Sequence, residues 1–217
     1  MNAEKIIKRV KRYNTVSFDI FDTLIARKVS IPTDIFKLVA SEAGMDELVF
    51  KEKRICAEKA ARQKAVSQGE VTLDEIYDEM PDLDVAEIEK LKKLELDTEY
   101  MQCEPIPEMH QVFEWAKQNQ KNIVIVSDMY LPADHIAKML EKCGYTSYQK
   151  LYVSNQYGVN KISGKLFEIV WNELEPADRK MIHIGDSIKA DFFGAIKAHV
   201  PSILISRQNR LLRLLKR

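Results

Sequence analysis

Asp19 and Asp22 close the apolar run Ser17-Phe18-Asp19-Ile20-Phe21-Asp22-Thr23-Leu24-Ile25, and Asp186 and Asp191 follow a second such run, Ile182-His183-Ile184-Gly185. A core-facing strand rarely delivers a carboxylate to its end by chance, so two such clusters in one chain suggest one shared acidic site. Ser127 and Asp128 end a third run, Asn122 to Ser127, and Gly158-Val159-Asn160-Lys161 can bring an ammonium to the same place. Lys165 competes for that role, but the spacing from Gly158 favours Lys161. Carboxylates, hydroxyls (Ser127, Thr23, Ser187) and one lysine make a site for a divalent metal and an anion. Hard oxygen ligands with room for water and phosphate oxygens suit Mg²⁺. A phosphoryl group there would be held by Ser127 and Lys161. Asp19 is the carboxylate best placed to attack it, forming an aspartyl-phosphate. The expected substrate is therefore a small phosphorylated molecule.

The elements that must position these residues follow from pattern. Strand-like runs cover Thr15 to Ile20, Asn122 to Ser127, Lys150 to Val153, Met181 to Gly185 and Ser202 to Ile205. Helical patterns lie between the later ones, at Pro107 to Asn119, Pro132 to Cys143, Ser163 to Glu173 and Ser187 to Ala198. Alternation of this kind implies βαβ crossovers and an α/β doubly wound domain, its parallel sheet covered on both faces. In such a sheet the ligand crevice lies at the carboxyl ends of the strands. From Pro32 to Glu104 only helical patterns appear: Thr33 to Ala43, Asp46 to Ser67, a capping box at Thr72-Leu73-Asp74-Glu75, and Asp84 with Glu87 opening a helix to about Tyr100. A helical insertion thus separates the first strand from the second.

These motifs resemble the haloacid dehalogenase (HAD) hydrolase superfamily. Asp19-Ile20-Phe21-Asp22-Thr23 matches its first motif, Val124-Ile125-Val126-Ser127 its second, Lys161 its third, and Gly185-Asp186-Ser187-Ile188-Lys189-Ala190-Asp191 its fourth. The resemblance implies a Rossmann-like three-layer α/β/α core at 1–30 and 105–217, with an all-α helical cap at 31–104. It also implies Mg²⁺ held by Asp19, the Phe21 carbonyl and Asp186, with Asp191 supporting. More narrowly, the chain is similar to HAD hydrolases found alone or fused to glycosyltransferases of surface-polysaccharide synthesis, which suggests a glycosyltransferase partner or fused domain.

One departure stands out. HAD phosphatases carry a second Asp two residues after the nucleophile, where it protonates the leaving group; here that position is Phe21 and the acid is Asp22. In extended backbone positions 19 and 21 share a face and 22 points away, so Asp22 serves only through a bent loop. Losing a general acid costs on the order of 10² to 10⁴ in rate, least for low-pKa leaving groups such as acyl, anomeric or anhydride phosphates. The dehalogenase branch also has an aromatic residue here and works without metal, whereas Asp186 and Asp191 keep a pair that a metal would use. A non-catalytic scaffold is the alternative of another class.

Within the insertion, Arg54, Glu58 and Arg62 recur every four residues and share one helical face. A solvated, salt-bridged stripe is the ordinary reading of this pattern; the other is that Arg54 and Arg62 face substrate. His183 reads as a satisfied core residue. Lys+Arg 33 balance Asp+Glu 33, so nothing in the overall charge calls for nucleic acid. Three dispersed cysteines fit a reducing cytoplasm, and no apolar leader or bilayer-length run is present. The basic, leucine-rich 207–217 segment reads as an amphipathic helix for its own domain, a partner or an anionic surface, or as the start of a linker.

Overall fold

The computed structural model describes residues 2–65 and 70–205; the basic 207–217 segment lies outside them. The first element is α1 (Ala3–Val10), a helix that no pattern in the sequence analysis marked. Asn2 caps it by accepting from Lys5 N, and Ala3, Ile6 and Val10 are buried beneath it. The next elements are β1 (Thr15–Phe18) and β2 (Ile25–Arg27), then a 3₁₀ turn at Pro32–Asp34. Four helices follow: α2 (Ile35–Ala43), α3 (Glu47–Lys64), α4 (Leu73–Tyr77) and α5 (Val85–Gln102). Asp46 caps α3, and reciprocal capping boxes, Thr72 with Glu75 and Asp84 with Glu87, start α4 and α5 as their spacing predicts. The chain continues through β3 (Cys103–Pro105), α6 (Pro107–Gln118), β4 (Asn122–Ser127), α7 (Ala133–Lys142), β5 (Lys150–Val153), α8 (Ser154–Tyr157) and α9 (Lys165–Glu173). It ends with β6 (Met181–Gly185), a π-helical turn over Ile188–Gly194, α10 (Ala195–Lys197) and β7 (Ser202–Leu204).

The main sheet is parallel in the order β5-β4-β1-β6-β7. Every residue of β1 and β6 is buried, as expected for strands covered on both faces. β1 lies in the middle between β4 and β6, so the carboxyl ends of these three strands converge at the point where the strand order reverses.

The insertion enters and leaves through a short antiparallel stem. Ile25 pairs with Pro105 and Arg27 with Cys103, and hydrogen bonds from Lys28 N to Gln102 O and from Ile106 N to Leu24 O extend the pairing. This corrects the reading of 32–104 as wholly helical: Cys103 and Glu104 belong to β3. The triplet Cys-Glu-Pro has no β-branched residue to announce a strand.

The Arg54 stripe also needs correction. Arg54 is fully buried, bidentate on Glu95 of α5 at 2.8 and 2.9 Å, while Tyr77 Oη donates to the same carboxylate at 2.9 Å. Its guanidinium lies over the rings of Phe36, Tyr77 and Tyr130. Glu58 bridges Arg54 and Arg62 as the spacing predicts, but only the Arg62 end reaches solvent. One turn along α5, Glu99 takes Arg27 of the stem in the same bidentate manner. Among the described residues, no helix is long and apolar enough to cross a membrane.

Candidate active site

β1 ends at Phe18, two residues earlier than the apolar pattern suggests, but Asp19 N still donates to Ile184 O at 2.9 Å and holds Asp19 at the strand end. The chain then turns sharply. Ile20 O accepts from the amides of Thr23, Leu24 and Ile25, and Asp22 adopts the left-handed region with φ 59°, a conformation Asp tolerates better than most residues. The strand alternation used to place Asp22 therefore stops at Asp19. Phe21 turns toward the stem, where the Arg27 guanidinium lies 4.1 Å from its ring centroid.

Lys161 joins the site from the loop before α9. Its Nζ donates to Asp19 Oδ1 and Asp191 Oδ1, both at 2.6 Å, and the side chain is buried, whereas Lys165 is exposed. Its backbone N–H donates to both oxygens of Asp128, at 2.9 and 3.2 Å, tying the loop after β4 to the loop before α9. Ser127 is buried at the end of β4, in register with Val153. Two glycines make this packing feasible. A Cβ on Gly185 would lie 2.2 Å from Asp191 Cγ, and one on Gly194 would lie 1.9 Å from Lys161 O. The wide π turn carrying Asp191 and Gly194 replaces the regular helix expected over Ser187 to Ala198, in keeping with the tendency of π segments to occur at functional sites. Ser187 is its N-cap, its hydroxyl accepting from Ala190 N, and Asp191 Oδ2 accepts from Ser187 N at 2.8 Å.

The carboxylate oxygens of Asp19, Asp186 and Asp191 lie within 4.8 Å of one another, all three residues buried. Burial pushes Asp19 up to about 8; Lys161 opposes this, and the charges of Asp191 and Asp186 add to it. Burial also works against ionisation of Asp191, yet Lys161 and His183 hold it well below the usual carboxylate range. Lys161 is buried too, and Asp19, Asp191 and Asp128 keep it protonated. Asp128 is pushed up to about 6 by burial, against Lys161 and with a further upward push from Glu70 of the insertion. Four carboxylates thus stand around one ammonium. That excess of negative charge on hard oxygen donors fits a divalent cation such as Mg²⁺.

Not every expected site residue comes to this cluster. Thr23 is fully buried and its Oγ1 has no hydrogen-bond partner. Arg54 is enclosed with Glu95, and Arg62 pairs with Glu58. A separate cleft of about 640 Å³ runs between α4 and α5 on one side and Tyr130, Pro132 and Asn155 on the other; the acidic cluster does not line it.

A family model of haloacid dehalogenase-like hydrolases matches residues 13–199. The chain belongs to this family. As a HAD-like hydrolase it is an enzyme. Comparison with curated proteins gives no sequence match. Solved structures share the fold. The HAD-hydrolase YfnB of Bacillus subtilis, bound to magnesium, is 16% identical with a TM-score of 0.66, covering 94% of this chain and 99% of its own. The L-2-haloacid dehalogenase of Xanthobacter autotrophicus is 15% identical with a TM-score of 0.61, covering 94% and 82%. A HAD phosphatase of Thermococcus onnurineus is 16% identical with a TM-score of 0.59, covering 90% and 87%.

Two features of this HAD-like site were not assigned from the sequence. One is His183, which contacts Asp191 from below; its pairing with Ser17, two residues before Asp19, was the available signal. The other is the Arg27–Glu99 pair under Phe21, which joins residues far apart in sequence and left no local pattern.

Proposed function

We propose that the protein is a Mg²⁺-dependent phosphohydrolase that works through an aspartyl-phosphate on Asp19 and takes a small phosphorylated metabolite with a low-pKa leaving group. The observation that supports this reading is the buried Lys161 bridge between Asp19 and Asp191 with Asp186 beside it. Asp19, the Phe21 carbonyl and Asp186 would hold Mg²⁺, with Asp191 supporting. When bound, the ion supplies positive charge that keeps Asp19 ionised and polarises phosphoryl oxygens.

The chain's own residues do the rest. An oxygen of Asp19 attacks phosphorus, the bond to the leaving oxygen breaks, and the phosphoryl group passes to the carboxylate. Lys161 and the Ser127 hydroxyl bind the transferring oxygens, and Asp128 holds the Lys161 loop in register. This is the positioning and electrostatic work on which phosphoryl transfer mainly depends. Water then hydrolyses the aspartyl-phosphate and releases inorganic phosphate. Phe21 cannot protonate a leaving group, which is why the reading specifies one that departs as a stable anion. Residues 31–104 act as a cap over 1–30 and 105–217, excluding water and selecting substrate. Thr23, Arg54 and Arg62 serve the loop and the cap rather than the substrate.

The test is phosphate release from acyl, anomeric and ordinary sugar phosphates, with Mg²⁺ or with chelator. Metal-dependent release that rises steeply as leaving-group pKa falls, and that Asp19→Asn abolishes, is the expected result. Halide release from 2-haloacids insensitive to chelator, which Phe21 would favour, overturns it.

A further inference from the structure

We infer that His183 is a positioning residue for the site: its Nε2–H fixes the carboxylate of Asp191, and through it Lys161, while Ser17 holds the other side of the ring. This inference rests on the proposed chemistry for its consequence, though not for its geometry.

The arrangement originates in strand pairing. Ser17 and His183 are directly opposite in the parallel β1–β6 ladder, so their side chains leave the sheet side by side. Two residues further along each strand, on the same face by alternation, stand Asp19 and Gly185. Gly185 has no Cβ, and Asp191 fills that space. The carboxylate of Asp191 therefore rests directly above His183, whose ring is fully buried and edge-on to Phe167 with centroids 4.7 Å apart.

Hydrogen-bond geometry then ties each group to the next. Asp191 Oδ1 accepts from Lys161 Nζ at 2.6 Å and lies 3.1 Å from His183 Nε2; Oδ2 accepts from Ser187 N at 2.8 Å. An ionised carboxylate only accepts, so Nε2 must carry hydrogen. On the other side of the ring the Ser17 Oγ lies 2.8 Å from Nδ1 and holds the imidazole in place. Both oxygens of Asp191 are thus held, one by the backbone and one from beneath, and the shared oxygen sets where Lys161 sits between Asp191 and Asp19.

Supporting partners of this kind typically change metal affinity or activity by 10- to 100-fold. The first measurement is long-range ¹H–¹⁵N NMR on histidine-labelled protein at pH 7. A hydrogen on Nε2 is expected for His183; a bare Nε2 overturns the assignment whatever the enzyme's substrate. The second compares His183→Leu, which removes the donor, with His183→Gln, which can return an amide N–H to the same place, and with Ser17→Ala. Mg²⁺ affinity by calorimetry and steady-state phosphate release are read on each. His183→Leu should lower kcat or Mg²⁺ affinity by about 10- to 100-fold with KM within about threefold, while His183→Gln recovers most of the loss and Ser17→Ala falls between. Equal impairment of the Leu and Gln variants overturns the positioning role. Wild-type protein that neither binds Mg²⁺ nor releases phosphate defeats the phosphohydrolase reading, and the NMR result still decides whether Nε2 carries the hydrogen that holds Asp191.

Discussion

Replacing Glu95 by Gln should destabilise the protein far more than an ordinary carboxylate-to-amide change. Arg54 and Glu95 are both completely buried, joined by two hydrogen bonds, with Tyr77 Oη on the same carboxylate. Gln keeps the shape but supplies one acceptor where the fork of the guanidinium needs two, and it leaves the positive charge unbalanced. Burial alone disfavours that charge, and Glu95 is the group that chiefly restores it. Removing one partner of a buried ion pair costs about 3–5 kcal/mol. For a chain of this length that corresponds to a fall in Tm of roughly 6–20 °C. Replacing both partners, as Arg54→Met with Glu95→Leu, removes the charges together and should cost much less than the sum of the single changes, because an apolar pair of similar volume often serves as well. Urea unfolding of wild type, Arg54→Met, Glu95→Leu and the double variant closes the cycle, with a coupling energy expected at about 2–3 kcal/mol. Additive single effects, or a Glu95→Gln cost below about 1 kcal/mol, would refute the inference that Arg54 belongs to the interior of the insertion.

Gly185→Ala should reduce phosphate release by at least about 10²-fold while leaving the sheet intact, since the new Cβ would displace the Asp191 carboxylate from above His183 and misplace the ammonium that stabilises the transferring oxygens; activity with circular dichroism checks it. The His135 pKa is lowered, mainly by burial, so the unfolded chain binds the extra proton and the His135 contribution to stability is lost as pH falls below about 6.5. Relative to His135→Leu, the wild type should therefore weaken as pH falls below about 6.5, and a pH-independent difference in urea midpoints would contradict it.

Much of this arrangement was legible in the sequence. β4, β5 and β6 begin and end where their apolar runs do, because strands of a parallel sheet covered by helices are built mostly of apolar residues. The capping boxes of α4 and α5 were equally plain, since a cap is local chemistry. Asp19, Asp128, Lys161, Asp186 and Asp191 were found for a related reason: each follows a strand end or a glycine. What escaped depends on contacts distant in sequence. Arg54 looks like any Arg of a charged stripe, and only Glu95, forty-one residues away, makes it a core residue. His183 looks like a core residue, and only the Asp191 carboxylate above it gives it a further part. The stem strand β3 is made by its pairing with β2 and not by its own composition.

Phe21 is where the two kinds of information meet. In the motif it occupies the place of a proton donor; in the fold it is the surface on which Arg27 lies, and Arg27 in turn holds Glu99 of α5. Glu95 and Glu99, one helical turn apart, thus fasten α5 to two aromatic residues that border the strand-end cluster, Phe21 after β1 and Tyr130 after β4. An acid at position 21 would lie beneath a guanidinium already shared with Glu99, and its negative charge would be stabilised there, which is the wrong direction for a group that must give up a proton only to the leaving oxygen. The aromatic ring avoids that conflict and adds a cation–π contact worth on the order of 1 kcal/mol. The place of the missing acid is thus the surface that anchors the insertion through Arg27 and Glu99, and under the proposed chemistry the substrate's leaving group is one that needs no proton.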